Sequence, residues 1–341
     1  MSVDKINKSL EAALKQIHSK HGNESLMVMK DTKIANIDAI STGSLSVDDA
    51  LGVGGVPKGR IVEIYGPEGS GKTTLALQIM AQAQKKAEEE GSGRKVAFLD
   101  VEQAMDMKYA QALGINVDEL VFGQPGTGEE TLDIVETLCN SGAIDVVVID
   151  SVAAMQTQAE LDGEIGDAHI GQVARLMSQG LRKIIKAANG TGTTVIFINQ
   201  IRDKIGVMGY GEKTTTTGGR ALKFYASVRI DVRKISSIKQ GDIIIGNKVK
   251  IKVVKNKVAP PHLEREVEIY FGKGILRSAE VLDFAIKFGI VGKSGGWHSY
   301  GDSKLGNGRP NVLDKLEEEP ELLQEIEEKV LEKIEEEKAK I

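Results

Sequence analysis

Gly66-Pro67-Glu68-Gly69-Ser70-Gly71-Lys72-Thr73 sets glycines, a lysine and a hydroxyl at the spacing of a loop that cradles phosphate. Glycine lets such a loop wrap closely, so that successive backbone N–H groups turn toward phosphate oxygens. The helix expected after it brings its positive end to the same charge. Lys72 is placed to neutralise β- and γ-phosphate charge and to act in turnover, Thr73 to ligate magnesium, and Thr74 to complete the nucleotide contacts. Three further runs end in groups suited to this chemistry. Asp145-Val146-Val147-Val148-Ile149-Asp150 is an apolar strand closing on a carboxylate, and Asp150 is expected to hold the magnesium through water. Ala97-Phe98-Leu99-Asp100-Val101-Glu102 runs into acids, with Glu102 the candidate base that activates water. Val195-Ile196-Phe197-Ile198-Asn199-Gln200 ends in an amide, and Gln200 is placed to contact the γ-phosphate and report its presence.

These residues need elements that bring strand ends to one edge. Short β-rich runs at Ile61–Tyr65, Val96–Val101, Glu119–Phe122, Asp145–Ile149 and Val195–Asn199 alternate with helical stretches at 72–90, 105–113, 128–141 and 172–189. Such alternation predicts an α/β domain around a mostly parallel, twisted sheet flanked by helices. Residues 224–234 and 242–258 are expected to extend one edge as antiparallel hairpins. Before this core, residues 4–21 read as an amphipathic helix stopped by Gly22, with a short strand at Leu26–Met29. After it, Val281–Phe288 looks helical, Trp297–Tyr300 is a lone aromatic spot, and a last helix starts at Pro320. The expected division is 1–37, a small N-terminal helix and strand segment; 38–276, the core; and 277–341, a small α+β C-terminal domain ending in an acidic helix.

At 341 residues, 41% hydrophobic and 27% charged, the chain can bury a sizeable core, and with 4% aromatics that core must rest on Val, Ile, Leu and Ala. Residues 314–341 hold twelve acids and five lysines, so the net charge of −5 leaves +2 on everything before them. A nucleic-acid partner would therefore use a local basic groove. The single cysteine, Cys139, cannot form an internal disulfide, and no apolar run approaches a membrane span or a signal core. A cytoplasmic protein with no membrane partner is expected. The five histidines show no metal-ligand spacing with the cysteine.

With these motifs in place, the chain resembles the bacterial RecA family from about residue 5 to 330. The resemblance is carried by Ile40–Ser46, Gly59–Lys72, Gly163–Asp167, Met177-Ser178-Gln179, Ile198–Met208, Thr215–Ser227 and Lys252–Pro260. It implies a P-loop core of RecA type and an ATP- and magnesium-dependent recombinase. Such a protein forms head-to-tail helical filaments on single-stranded DNA, pairs it with double-stranded DNA, exchanges strands and promotes self-cleavage of LexA-type repressors. Residue by residue it implies that Glu102 activates water and that Gln200 couples the γ-phosphate to the loop after it. Asp106 and Tyr109 would hold adenine. Lys255 and Lys257 would reach the ATP of the adjacent subunit. The loop Asp162–Gly171, with three glycines, would place His169, Ile170, Arg175 and Arg182 on DNA. The loop Gly206–Gly219, with five glycines and four consecutive threonines, would do the same for Arg202, Lys204, Ile205, Met208, Gly218, Gly219 and Arg220. Phe224 would be an interface residue.

The chain departs from the family pattern at Gln103 and Met107 and in the longer second loop. It also ends on its acidic helix, from which readier engagement of duplex is expected. Two other readings remain open at this point: a ring-forming helicase on the same core, and a scaffold that binds ATP and DNA but turns over slowly. The N-terminal segment and glycine loops count against the first, and the intact Lys72, Thr73, Glu102 and Asp150 against the second.

Overall fold

Val and Ile dominate the central strands, because β-branched side chains suit a pleated surface buried on both sides. The computed structural model describes residues 3–22, 25–26, 37–164, 171–203 and 214–338, and its contacts divide the chain into two units, 1–37 and 38–341. The first unit holds α1 (Val3–His21), which leaves Ile6 and Leu10 exposed on one side and is followed by Gly22 in the left-handed region. The strand expected at Leu26–Met29 falls almost wholly outside the described residues.

The second unit opens with β1 (Ala39–Ile40), α2 (Leu45–Leu51) and β2 (Val56–Pro57). Strand and helix then alternate: β3 (Ile61–Gly66), α3 (Lys72–Glu89), β4 (Lys95–Asp100), α4 (Met107–Ala112), β5 (Leu120–Gly123), α5 (Gly128–Ser141), β6 (Ile144–Asp150), α6 (Gln158–Leu161), α7 (Gln172–Thr191) and β7 (Thr194–Asp203). After β8 (Thr214–Thr216) and α8 (Ala221–Tyr225) come β9 (Val228–Gln240), β10 (Ile243–Asn256), β11 (Glu264–Tyr270) and β12 (Gly274–Ile275). The last part is α9 (Arg277–Lys287), β13 (Val291–Ser294), β14 (Trp297–Tyr300), β15 (Ser303–Asn307), α10 (Arg309–Glu318) and α11 (Pro320–Lys338).

The large sheet has the order β12-β11-β10-β9-β3-β7-β6-β4-β5, parallel from β9 to β5 and antiparallel from β9 to β12. Alternate residues feed two cores. Val96, Phe98, Val146, Val148, Ile196 and Ile198 pack on the α3 side, whereas Ala97, Leu99, Val147, Ile149, Val195 and Phe197 pack with α5 and α7. Register then fixes the site, since Gly66 lies opposite Gln200 and Asp100 opposite Asp150. Four strand ends therefore meet at one edge, where ligands bind in open parallel sheets.

Differences from the sequence reading are local. Residues 221–225 form α8 where strand was expected to begin by 224. Trp297–Tyr300 is the middle strand of a three-stranded antiparallel sheet, turned at Gly295 and Gly301, both with positive φ. Helix α10 was not anticipated. It buries only Val312, Leu313 and Leu316, too few to show a clear period. These elements and α11 pack on α9 around a separate core with Val281, Leu282, Ile326 and Val330.

Candidate active site at the phosphate loop

The loop after β3 ends on Gly71, which caps α3 without any side-chain bond, so the first N–H groups of that helix face outward unclaimed by a cap. Packing as well as phosphate demands the glycines. A Cβ on Gly66 would lie 2.0 Å from the Val232 carbonyl oxygen, and one on Gly71 2.4 Å from Ile269 Cδ1. The Ser70 hydroxyl, buried in the loop, has no hydrogen-bond partner among the described residues. Pro67, Glu68 and Gly69 form the exposed crest, and the Lys72 ammonium folds under it to donate to the Pro67 carbonyl at 2.8 Å. Burial lowers the Lys72 pKa, against the opposing pull of Asp150, Glu102 and Glu68.

The two candidate metal-holding groups touch. Thr73 Oγ1 donates to Asp150 Oδ2 at 2.7 Å. Burial is the main cause that lifts Asp150 to about 6, with Thr73 pulling it down and Glu102 pushing it up. A buried carboxylate that ionises at a cost, beside a half-buried hydroxyl, fits a hard, oxygen-seeking cation, which would remove that cost.

Around the corner, Glu102 Oε1 accepts hydrogen bonds from the Ser151 hydroxyl and, at 3.0 Å, from Gln200 Nε2. The Asp100 carboxylate holds the following loop through the Ala104 and Met105 N–H groups and Gln124 Nε2. Within that loop Gln103 takes a positive φ of 55°, and Met107 opens α4 partly exposed. Asp106 caps α4, accepting from the N–H groups of Lys108 and Tyr109, while the half-buried Tyr109 sets its hydroxyl 2.7 Å from Thr74 Oγ1. The cleft between Tyr109 and the phosphate loop is closed from the far side by Asn247, Ile269 and Phe271. Ser151, Asn247 and Phe271 escaped the sequence reading. Only Phe271, an exposed aromatic at a strand end, left a local trace.

Away from this cleft, Lys255 Nζ donates to the carbonyls of Lys223 (2.6 Å) and Phe224 (3.0 Å), and Lys257 Nζ to that of Phe224 at 3.2 Å. Burial, then the neighbouring charges of Lys257 and Arg229, bring Lys255 down to about 8. Phe224 is 71% exposed. The two lysines and this ring thus share one surface, apart from the protomer's own phosphate loop. Of the DNA candidates, Arg175 and Arg182 stand exposed two turns apart on α7, and Arg202 and Arg220 are exposed at the two ends of the second loop. Gly218 and Gly219 both have positive φ. A Cβ on Gly218 would strike Val152 and one on Gly219 Ala174, so the pair is wedged between Val152 and α7. His169, Ile170, Lys204, Ile205 and Met208 lie outside the described residues. Among the described residues no cluster of three or more His, Cys, Asp or Glu could hold a metal, and no helix is long and apolar enough to cross a membrane.

Comparison with known proteins decides the family. The model of the RecA N-terminal domain matches residues 8–276, and that of the RecA C-terminal domain residues 279–335. The chain belongs to the RecA family. It is 58% identical to Protein RecA of Nitratiruptor sp. over 323 residues, covering 95% of this chain and 92% of the relative. Against Protein RecA of Nautilia profundicola the identity is 57%, covering 95% and 91%, and against that of Campylobacter jejuni 54%, covering 95% and 92%. RecA proteins are DNA-dependent ATPases of homologous recombination and DNA repair, and this chain is one of them. It accordingly uses nucleotide, binds DNA and associates with itself.

Proposed function

We propose that ATP-loaded protomers assemble head to tail on single-stranded DNA, pair that strand with homologous duplex and exchange strands, with ATP held where one protomer meets the next. The observation that carries this reading is the Glu102–Gln200 bond. The candidate water-activating carboxylate and the last residues before the second glycine loop are joined directly. Glu102 orients and deprotonates the attacking water, Lys72 steadies the phosphates, and Gln200 leaves Glu102 for the γ-phosphate when ATP arrives. Thr73 and Asp150 are suited to hold magnesium, which when bound neutralises phosphate charge. Asp106 and Tyr109 flank the base. Lys255 and Lys257 extend toward the neighbour's triphosphate, and cations supplied across an interface in this way accelerate hydrolysis ~10³–10⁵-fold in other phosphoryl-transfer proteins.

Arg175, Arg182, Arg202, Arg220 and the backbone at Gly218–Gly219 hold DNA phosphates without reading bases, as a protein that accepts any sequence requires. His169, Ile170, Lys204, Ile205 and Met208 complete those loops. The resulting filament also promotes self-cleavage of LexA-type repressors. A reducing cytoplasm suits the one thiol, since Cys139 is buried and burial pushes it up to about 12. The test is ATPase measured with and without single-stranded DNA. Wild type should be strongly stimulated, and Glu102→Gln should bind DNA with ATP yet hydrolyse at least ~100-fold more slowly. An unstimulated wild type would refute the reading.

A further inference from the structure

In the middle of the sheet sits a carboxylate with no access to solvent, Glu63 on β3. Burying a carboxylate is costly unless its oxygens are matched by donors. Here both are matched. Oε1 accepts from Asn199 Nδ2 at 3.0 Å and Oε2 from Arg229 Nε at 2.5 Å. Asn199 is equally buried and uses its whole amide. Its Nδ2 also donates to the Thr217 carbonyl at 3.1 Å, and its Oδ1 accepts from the Gln200 N–H at 2.9 Å and from the Thr217 hydroxyl. Thr217 immediately precedes the wedged pair Gly218–Gly219. On the other side, Arg229 stacks on Tyr65, 4.6 Å from the ring centre, and lies opposite Lys255 in the β9–β10 ladder. One hydrogen-bonded chain thus crosses β7, β3 and β9. It starts at the backbone of Gln200 and ends at Arg229.

We propose that Glu63, Asn199, Thr217 and Arg229 are a positioning relay that sets the Gly218–Gly219 turn according to where Gln200 sits. The idea rests on the reading of Gln200 as the γ-phosphate sensor. A fully satisfied buried network has few alternative arrangements, so displacement of one member is passed on instead of absorbed. When Gln200 swings from Glu102, its N–H remains tied to Asn199 Oδ1, and Asn199 holds Thr217 by two bonds. The nearest outlet for that movement is the glycine turn, whose two residues at positive φ have the conformational freedom to take it up.

The experiment measures affinity for a fluorescent oligo-dT strand with a non-hydrolysable ATP analogue and with ADP, in wild type, Thr217→Val, Glu63→Gln, Glu63→Ala and Gln200→Ala. Thr217→Val keeps size and the backbone carbonyl but removes the hydroxyl donor. It should keep nucleotide KM and DNA-free turnover within ~2-fold while lowering the analogue-over-ADP affinity ratio about tenfold, the scale of one lost hydrogen bond. Glu63→Ala should lower the same ratio, and Glu63→Gln, which still accepts from Asn199 but loses the Arg229 bond, should restore part of it. An unchanged ratio in Thr217→Val, or equal weakening with both nucleotides, would overturn the relay while leaving the sensor reading intact if Gln200→Ala has lost its ratio. A wild-type ratio in Gln200→Ala would overturn the sensor reading itself and the relay with it.

Discussion

At the scale of single residues, the site trades stability for chemistry, most plainly at Asp150. Its folded pKa of about 6 lies above the ordinary 3.8 because burial disfavours the charged form. The folded state gains from the protonated acid, so this contribution is complete below about pH 3.8 and is lost as pH rises through about 6. At neutral pH the nucleotide-free protein therefore bears the cost of a buried anion. Asp150→Asn should stabilise that form at about pH 7.5 by about 1–3 kcal/mol in denaturant melts while abolishing hydrolysis, and the gain should shrink toward about pH 4. A destabilised Asn variant at neutral pH would contradict this account. In wild type, ATP–magnesium affinity should fall as pH drops through about 6, where Asp150 takes up its proton.

Elements add what single residues cannot, namely register. The phosphate loop was legible because its eight residues are contiguous, and Asp150, Glu102 and Gln200 because parallel strands deliver their C-terminal ends to one edge. Ser151, Asn247, Phe271 and Glu63 were not legible. Their partners arrive through cross-strand pairing and through β10 and β11 lying over the loop, which no local spacing encodes. The same holds for Glu280 on α9, 236 positions from Ser44. Its buried carboxylate accepts from Ser44 Oγ at 2.8 Å, Leu45 N at 2.9 Å and Ser46 N at 3.3 Å, at the start of α2. This joins the C-terminal helices to the core. Glu280→Ala should cost about 2–3 kcal/mol in urea unfolding by orphaning those donors, and Glu280→Gln about 1–2 kcal/mol, because its one amide oxygen still accepts from Ser44 and Ser46 while the Leu45 N–H loses its acceptor. Equal losses in the two variants would show that the shape and single acceptor kept by the amide count for nothing, contradicting this account.

For the whole molecule the question is what completes the active site. Phe224, Lys255 and Lys257 crowd one exposed surface, and none of them meets the protomer's own phosphate loop among the described contacts. Phe224→Ala should leave the isolated fold within about 0.5 kcal/mol of wild type, since the ring is mostly in water, yet abolish ATP- and DNA-dependent assembly in sedimentation. Assembly as in wild type would remove Phe224 from the interface. The most direct test of shared sites is to mix two inactive variants. Glu102→Gln protomers keep Lys255, and Lys255→Ala protomers keep Glu102. In a random equimolar filament about a quarter of the interfaces then pair an intact glutamate with an intact lysine from the neighbour. Single-stranded-DNA-stimulated ATPase of the mixture should recover to about that fraction of wild type. A mixture no more active than its two components measured separately would contradict a nucleotide site built by two protomers.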